Sequence, residues 1–264
     1  MARDLEGLTG ALLRAARKAG AEAADALAVE GDSLSIEVRA GALEQAERAE
    51  GVEIGLRVLI GRRQACVSAS DVRSETLDAM AERAVAMARE APEDPWCGLA
   101  APEQLARSWD LVALDLVDAS EPPSAAELRE IALMAEAAAL AVPGITRAEG
   151  AGAGWQASRV HVAASNGFSG GYGRTGHSIH AVAIHGDGLA MEQDHCVEGR
   201  SHRADLPDPA RIGRLAGERA VKWAGAKKPP TGAYPVLYDE RVASSLIGHL
   251  VQAFNGAAVA RGAS

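Results

Sequence analysis

Six side chains that can ligate a metal crowd one stretch of the sequence: His177, His180, His185, His195, Cys196 and His202. Imidazole nitrogens and thiolates are the usual zinc ligands, four in a closed site or three plus a water in a catalytic one. Strand geometry works against convergence here. Side chains alternate along a strand, so His177 and His185 face one way and His180 the other, and the three meet only across a bulge. Exposed strand histidines are the expected reading. Asp194, His195 and Cys196 are neighbours in sequence, but the same alternation turns the histidine away from its two neighbours, which is a poor start for a nucleophile and its base.

Two glycine patterns carry other chemistry. Residues 171–176 read GYGRTG, a match to the GxGxxG of dinucleotide sites, and residues 167–171 read GFSGG, a match to the GxSxG nucleophile elbow. Each motif works only where a strand ends and a helix begins, because the helix N-terminus holds the pyrophosphate or the sharp turn exposes the serine. Gly176 instead leads into HSIHAVAI, which alternates like a strand. Neither site is expected; a glycine-rich hairpin whose backbone needs freedom to turn explains both. The last chemical candidate is His249 in YDERVASSLIGHLVQAFNG, residues 238–256. Asp239 can cap a helix there, and Val242, Leu246, His249, Leu250 and Ala253 recur at helical spacing, which sets the imidazole inside the apolar stripe.

The elements that must position these residues alternate between two periods. Leu5, Leu8, Leu12, Ala16 and Ala19 make a helical stripe that Gly20 stops. Residues 32–39, 52–60 and 64–70 alternate as antiparallel strands, and Leu77, Met80, Ala84 and Met87 mark a helix over 74–91. A proline-rich, acidic stretch from Pro92 to Pro123 reads as a linker. Ser124 and Glu127 form a capping box for a second long helix, ended by Pro143 and Gly144. Strands are expected over 158–165, 177–188 and 189–198 with a hairpin at Asn166-Gly167, then a helix capped by Asp208 with Pro209 at its first position, then a short strand at Tyr234–Tyr238. The class is α+β: two units of antiparallel sheet with packed long helices, over residues 1–112 and 113–228, and the start of a third domain over 229–264.

Composition narrows the function. The 264 residues are 48% apolar, enough for a sizeable core, and only 3% aromatic, so helices pack on small side chains. A formal charge of −9 without a basic stripe argues against a nucleic-acid binder. No signal-like start and no apolar run of membrane length are present, and three scattered cysteines fit neither a disulfide framework nor a paired zinc site, so a cytoplasmic protein is expected.

Several segments, taken in order, carry a resemblance. Residues 51–60, GVEIGLRVLI, with Ser68-Ala-Ser-Asp71 leading into a helix, then Gly176-His-Ser178, Met191-Glu-Gln-Asp194 with Gly199-Arg200, and Tyr234–Tyr238 followed by Gly248-His-Leu-Val251, resemble the TldD/PmbA family, the modulators of DNA gyrase, and within it the PmbA (TldE) branch. The resemblance implies a metallopeptidase system acting on small or unfolded peptides. In the TldD branch an HExxxH helix binds zinc through two histidines and activates water with the glutamate, a division of labour that metal hydrolysis requires. Here the corresponding positions are Gly248, His249 and Ala253, so the resemblance implies no zinc in this chain and zinc in a TldD-like partner. It also implies that His177, Glu192, Asp194 and Arg200 are family-motif or peptide-binding residues, and that a β-rich third domain is truncated, leaving the terminal stripe for a homodimer to cover. A non-enzymatic peptide- or protein-binding homodimer is the competing expectation.

Overall fold

The computed structural model describes residues 3–263. Helix α1 (Leu5–Ala19) starts where the Asp4 carboxylate accepts the Gly7 N–H at 2.8 Å, and it ends at Gly20, whose φ of 102° suits only glycine. Strands β1 (Ala23–Arg39) and β2 (Ala42–Ile60) form a long hairpin, and β3 (Arg63–Ala69) turns back along the inner half of β2. Helix α2 (Ser74–Glu90) comes next. A connection with one short helix, α3 (Leu111–Leu114), leads to α4 (Ala125–Leu140), which opens on the reciprocal Ser124–Glu127 bonds that the capping box predicts. Strand β4 (Ile145–Ala164) turns at Asn166-Gly167 into β5 (Ser169–His185), then come β6 (Glu192–Arg200) and α5 (Pro209–Lys222), capped by Asp208.

The six strands make one antiparallel sheet in the order β3-β2-β1-β4-β5-β6. The two sheet units expected from the sequence are thus halves joined edge to edge, β1 pairing β4 from Asp25–Ala164 to Val38–Ala151. Parity along β1 shows where the helices sit. Ala24, Ala26 and Ala28 are buried with α1 and α2, Ile36 and Val38 with α4 and α5, and all five are even-numbered. Both helix pairs therefore pack on the same face, and the odd positions of β1 look out on a face without them. Small side chains set the close approach of α4 and α5. Ala132, Ala135 and Ala139 of one helix meet Gly213, Ala216 and Ala220 of the other, and all of them are buried. The burial of Leu12, Ile54, Leu56 and Ile212 stabilises each half by about 1.5–3 kcal/mol per side chain.

From Ala226 onward the chain forms a second compact unit. Asp239 caps α6 (Glu240–Ala253) as expected, with its carboxylate 3.0 Å from the Arg241 N–H, and α7 (Gly256–Ala260) completes the unit's helices. One expectation is corrected there. Tyr234–Tyr238 is irregular rather than a strand, because no described strand pairs with it. The α6 stripe meets no core: Val242, Leu246, His249 and Leu250 are all exposed, and no residue of the helix is buried. Among the described residues no helix is long and apolar enough to cross a membrane.

Candidate functional site: a groove on the face opposite the helix pairs

The outward positions of the central strands are unusually small. Ser33 and Ser35 of β1, Gly154 and Gln156 of β4, and Gly176 and Ser178 of β5 line a groove of about 600 Å³ that crosses these strands. The register explains the alignment, since Ser35 pairs with Gly154 and Gly154 with Ser178. Short side chains leave the backbone approachable, and among the described residues the hydroxyls of Ser33, Ser35 and Ser178 and the Gln156 amide have no hydrogen-bond partner within the protein. At one end of this bed, His180 Nε2 reaches over Gly152 to Glu37 Oε2 at 3.1 Å. A Cβ at position 152 would lie 2.4 Å from that carboxylate, so glycine is what permits the bridge.

A second cavity, of about 490 Å³, adjoins the first and is apolar, lined by Trp109, Leu111, Leu114, Val162, Phe168 and Tyr172. The connection between α2 and α4 supplies its wall. Trp109 lies against Gly170, where a Cβ would fall 2.0 Å from the indole ring, and its Nε1–H donates to the Gly171 carbonyl at 3.4 Å. Beside it the Phe168 ring is tilted, with centroids 6.1 Å apart. Arg174 lines both cavities. Its guanidinium is exposed, and among the described residues it forms no ion pair.

A third cavity, of about 620 Å³, sits on the helix-covered face among Arg3, Glu30, Asp32 and Arg159. Its charges already meet each other: Arg159 lies 3.0 Å from Glu30, and Arg48 3.1 Å from Asp32. That cavity is an ion-paired seam rather than a place prepared for a ligand.

The residues singled out in the sequence take separate places in the fold. His177 is buried at 4% exposure, which corrects the expectation of an exposed strand histidine: its odd position on β5 places it beside Asp118 of the α3–α4 connection and Arg203 of the β6–α5 connection. Its Nε2 is 3.2 Å from Asp118 Oδ2, off the line of a good hydrogen bond. Arg200 is opposite His177 in the β5–β6 ladder and pairs with Glu198 at 2.7 Å. Asp194 is a latch between β6 and α5, accepting from the Trp223 indole N–H at 3.0 Å. Glu192 lies at the other end of β6, about 26 Å of strand from Arg200, so the four do not converge. Cys196 is buried while His195 points out, as alternation requires; burial pushes the Cys196 thiol up, away from the thiolate form. The glycines of 167–176 are corrected as well. Only Gly167 turns the chain, with φ of 96°; Gly170, Gly171, Gly173 and Gly176 lie within extended β5, where Gly170 and Gly171 yield space to Trp109 and to the Val160 carbonyl.

No three His, Cys, Asp or Glu side chains stand together as a metal site among the described residues. On α6, zinc does not fit the residues present: Gly248 and Ala253 offer no ligand atom, and His249 supplies one nitrogen where a catalytic zinc takes about three protein ligands. Sequence reasoning missed Arg174, Trp109 and the Ser33–Ser35 bed. The one signal available was GYGRTG itself, in which an arginine stands among glycines on a strand.

A one-sided antiparallel sheet backed by two helix pairs defines the architecture, and known relatives share it. Residues 24–88 match the family description "PmbA/TldA metallopeptidase domain 1" and residues 118–222 match "PmbA/TldA metallopeptidase central domain", together more than half of the chain. The chain belongs to the PmbA/TldD family. It is 31% identical over 229 residues to Metalloprotease PmbA of Escherichia coli O157:H7, covering 86% of this chain and 50% of that protein. To the Metalloprotease PmbA homolog of Haemophilus influenzae it is 27% identical, covering 94% of this chain and 54% of the relative. The chain thus spans about half the length of these curated relatives. A crystal structure named as a modulator of DNA gyrase, from Bacteroides thetaiotaomicron, superposes with a TM-score of 0.85 at 25% identity, over 96% of this chain and 57% of that one. TldE from Thermococcus kodakarensis shares the fold, with a TM-score of 0.67 at 16% identity, over 82% of this chain and 48% of its own.

Proposed function

We propose that this chain is a PmbA/TldE-like subunit of a cytoplasmic peptidase system acting on small or unfolded peptides, and that it holds peptide while a TldD-like partner carries the zinc. The observation that carries the reading is α6. The helix that resembles the family's zinc helix presents Gly248, His249 and Ala253, a set without the two histidines that hold the metal or the glutamate that activates water. The relatives' name, metalloprotease, supplies the reaction class, and the uncommitted hydroxyls and amide of the serine bed on an open sheet face supply hydrogen-bond donors and acceptors for peptide groups. Three unpaired cysteines, Cys66 among them exposed, suit a reducing compartment.

A second reading has its own observation. Val242, Leu246, Leu250 and Phe254 of the second unit are between 43% and 71% exposed, an apolar row that a second copy of the chain could cover in a non-enzymatic homodimer. Co-purification separates the two. Expressed beside a TldD-like protein carrying HExxxH, this chain is expected to come down with it in a fixed stoichiometry; a self-dimer that ignores such a protein would overturn the subunit reading.

A further inference from the structure

We infer that the groove on the face opposite the two helix pairs, its two cavities meeting at Arg174, is a receptor for the carboxyl-terminal end of an extended peptide whose last side chain is large and apolar. The inference rests on the peptide-holding role and adds to it which end of the peptide is held and by which residues. Three features of the groove converge. The apolar cavity offers Trp109, Phe168 and Tyr172 with aliphatic neighbours, the lining that takes a leucine or phenylalanine side chain. Arg174 stands at the junction of the two cavities with no protein carboxylate to satisfy it among the described residues, and its planar fork matches a free carboxylate in two parallel hydrogen bonds. The polar cavity then continues as the Ser33, Ser35, Ser178 and Gln156 bed, which offers donors and acceptors to the peptide groups behind the last residue. An internal segment would offer Arg174 a carboxylate only through an Asp or Glu side chain, whereas a free terminus carries one on the same residue as the apolar side chain, so a terminus with an apolar last residue satisfies both cavities at once.

The pocket is also built to persist. Trp109 can lie on the sheet only because position 170 has no Cβ, and its indole is pinned to the Gly171 carbonyl. A few residues further on, the same connection is fastened to β5, where the Thr175 N–H donates to the Leu116 carbonyl at 3.0 Å and the Asp118 N–H donates to Thr175 Oγ1 at 2.7 Å. The wall of the pocket is therefore a connection fastened to the sheet at Gly171 and Thr175.

Fluorescence anisotropy with the full chain tests this. Three fluorescein-labelled ten-residue peptides share one sequence and differ only at the end: a phenylalanine free acid, the phenylalanine amide, and a serine free acid. The phenylalanine acid is expected to bind at least tenfold tighter than either of the others. Arg174→Gln, a change at an exposed position, should bring the acid down to the amide's affinity and leave the amide unchanged, whereas Trp109→Ala should weaken both phenylalanine peptides together. Equal binding of acid and amide, full acid preference in the Arg174→Gln variant, or no binding of any peptide overturns the inference. Unselective peptide binding would leave the subunit role standing, because that role is read from the partner and not from the peptide's end.

Discussion

Asp118 and His177 face one another at the inner side of β5, and their protonation should be visible in stability. The backbone N–H groups of Arg203 and Ser120, at 2.8 and 2.9 Å, hold the Asp118 carboxyl well below the usual carboxylate range, with the Ser120 hydroxyl and the nearby His177 assisting. Burial pushes His177 down, against the pull of Asp118. A histidine whose folded pKa is lowered resists protonation more in the folded chain than in the unfolded one, so its effect on stability is absent above the ordinary imidazole value of about 6.5 and grows unfavourable below it. The Asp118 contribution is present at neutral pH and is lost only as pH falls below about 4. His202 works in the opposite sense: its bond to the Asp115 carbonyl raises its pKa, giving stability that is present below about 6.5 and fades as pH rises through the folded value. Thermal unfolding isolates His177. Between pH 7.5 and 5.5 the wild-type Tm should fall more than that of His177→Gln, and parallel slopes would remove the buried imidazole from the account. A contrasting residue is His249, exposed on α6, where replacement by leucine should change stability by less than about 0.5 kcal/mol in chemical denaturation. None of this environment was legible in the sequence. Alternation separates His177 from His180, but which face is covered depends on helices far away in the chain, and the segment that buries His177 lies in a stretch legible only as a linker.

Among the elements, the α4–α5 crossing leaves no room for a Cβ at Gly213. A Cβ on Gly213 would lie 1.8 Å from the Ala135 carbonyl oxygen and 2.9 Å from the Ala139 nitrogen, and backbone cannot move aside as a side chain can. Gly213→Ala is therefore expected to cost about 2–3 kcal/mol in urea unfolding, despite alanine's better helix propensity. Gly248→Ala on α6 meets nothing within 4 Å and should be neutral or stabilising by up to about 1 kcal/mol. Equal effects at the two positions would contradict the close crossing. The helices α1, α4 and α5 were legible because a cap or stop agrees with the apolar spacing, Gly20 for α1, Ser124 with Glu127 for α4 and Asp208 with Pro209 for α5, whereas α2 was legible from spacing alone and has no side-chain cap. Strand lengths were not. The outer half of β2, residues 42–51, is exposed throughout and carries Glu44, Glu47, Arg48 and Glu50, so it lacks the alternation that marks a half-buried strand. The groove needed still more, since Ser33, Gln156 and Gly176 become neighbours only once β1, β4 and β5 are in register. Local periodicity carries no information about which distant strands pair.

Across the whole molecule, the proposed function divides labour: a sheet with both helix pairs on one face would hold peptide on the other, and the helix that resembles the family's zinc helix, without the ligands, would leave the metal to a partner. Net charge does not bear on that division, but family membership does, and membership was legible from short segments whose order, more than any single motif, pointed to the PmbA branch. Hydrolysis of an unfolded peptide, monitored with the chain alone and again with a zinc-bearing TldD-like protein added, tests the division most directly. The chain alone is expected to cleave nothing above background, and the pair to cleave at a rate that a chelator abolishes. Robust chelator-sensitive cleavage by the chain alone would contradict the account, because Gly248, His249 and Ala253 could not then stand at a spent metal helix.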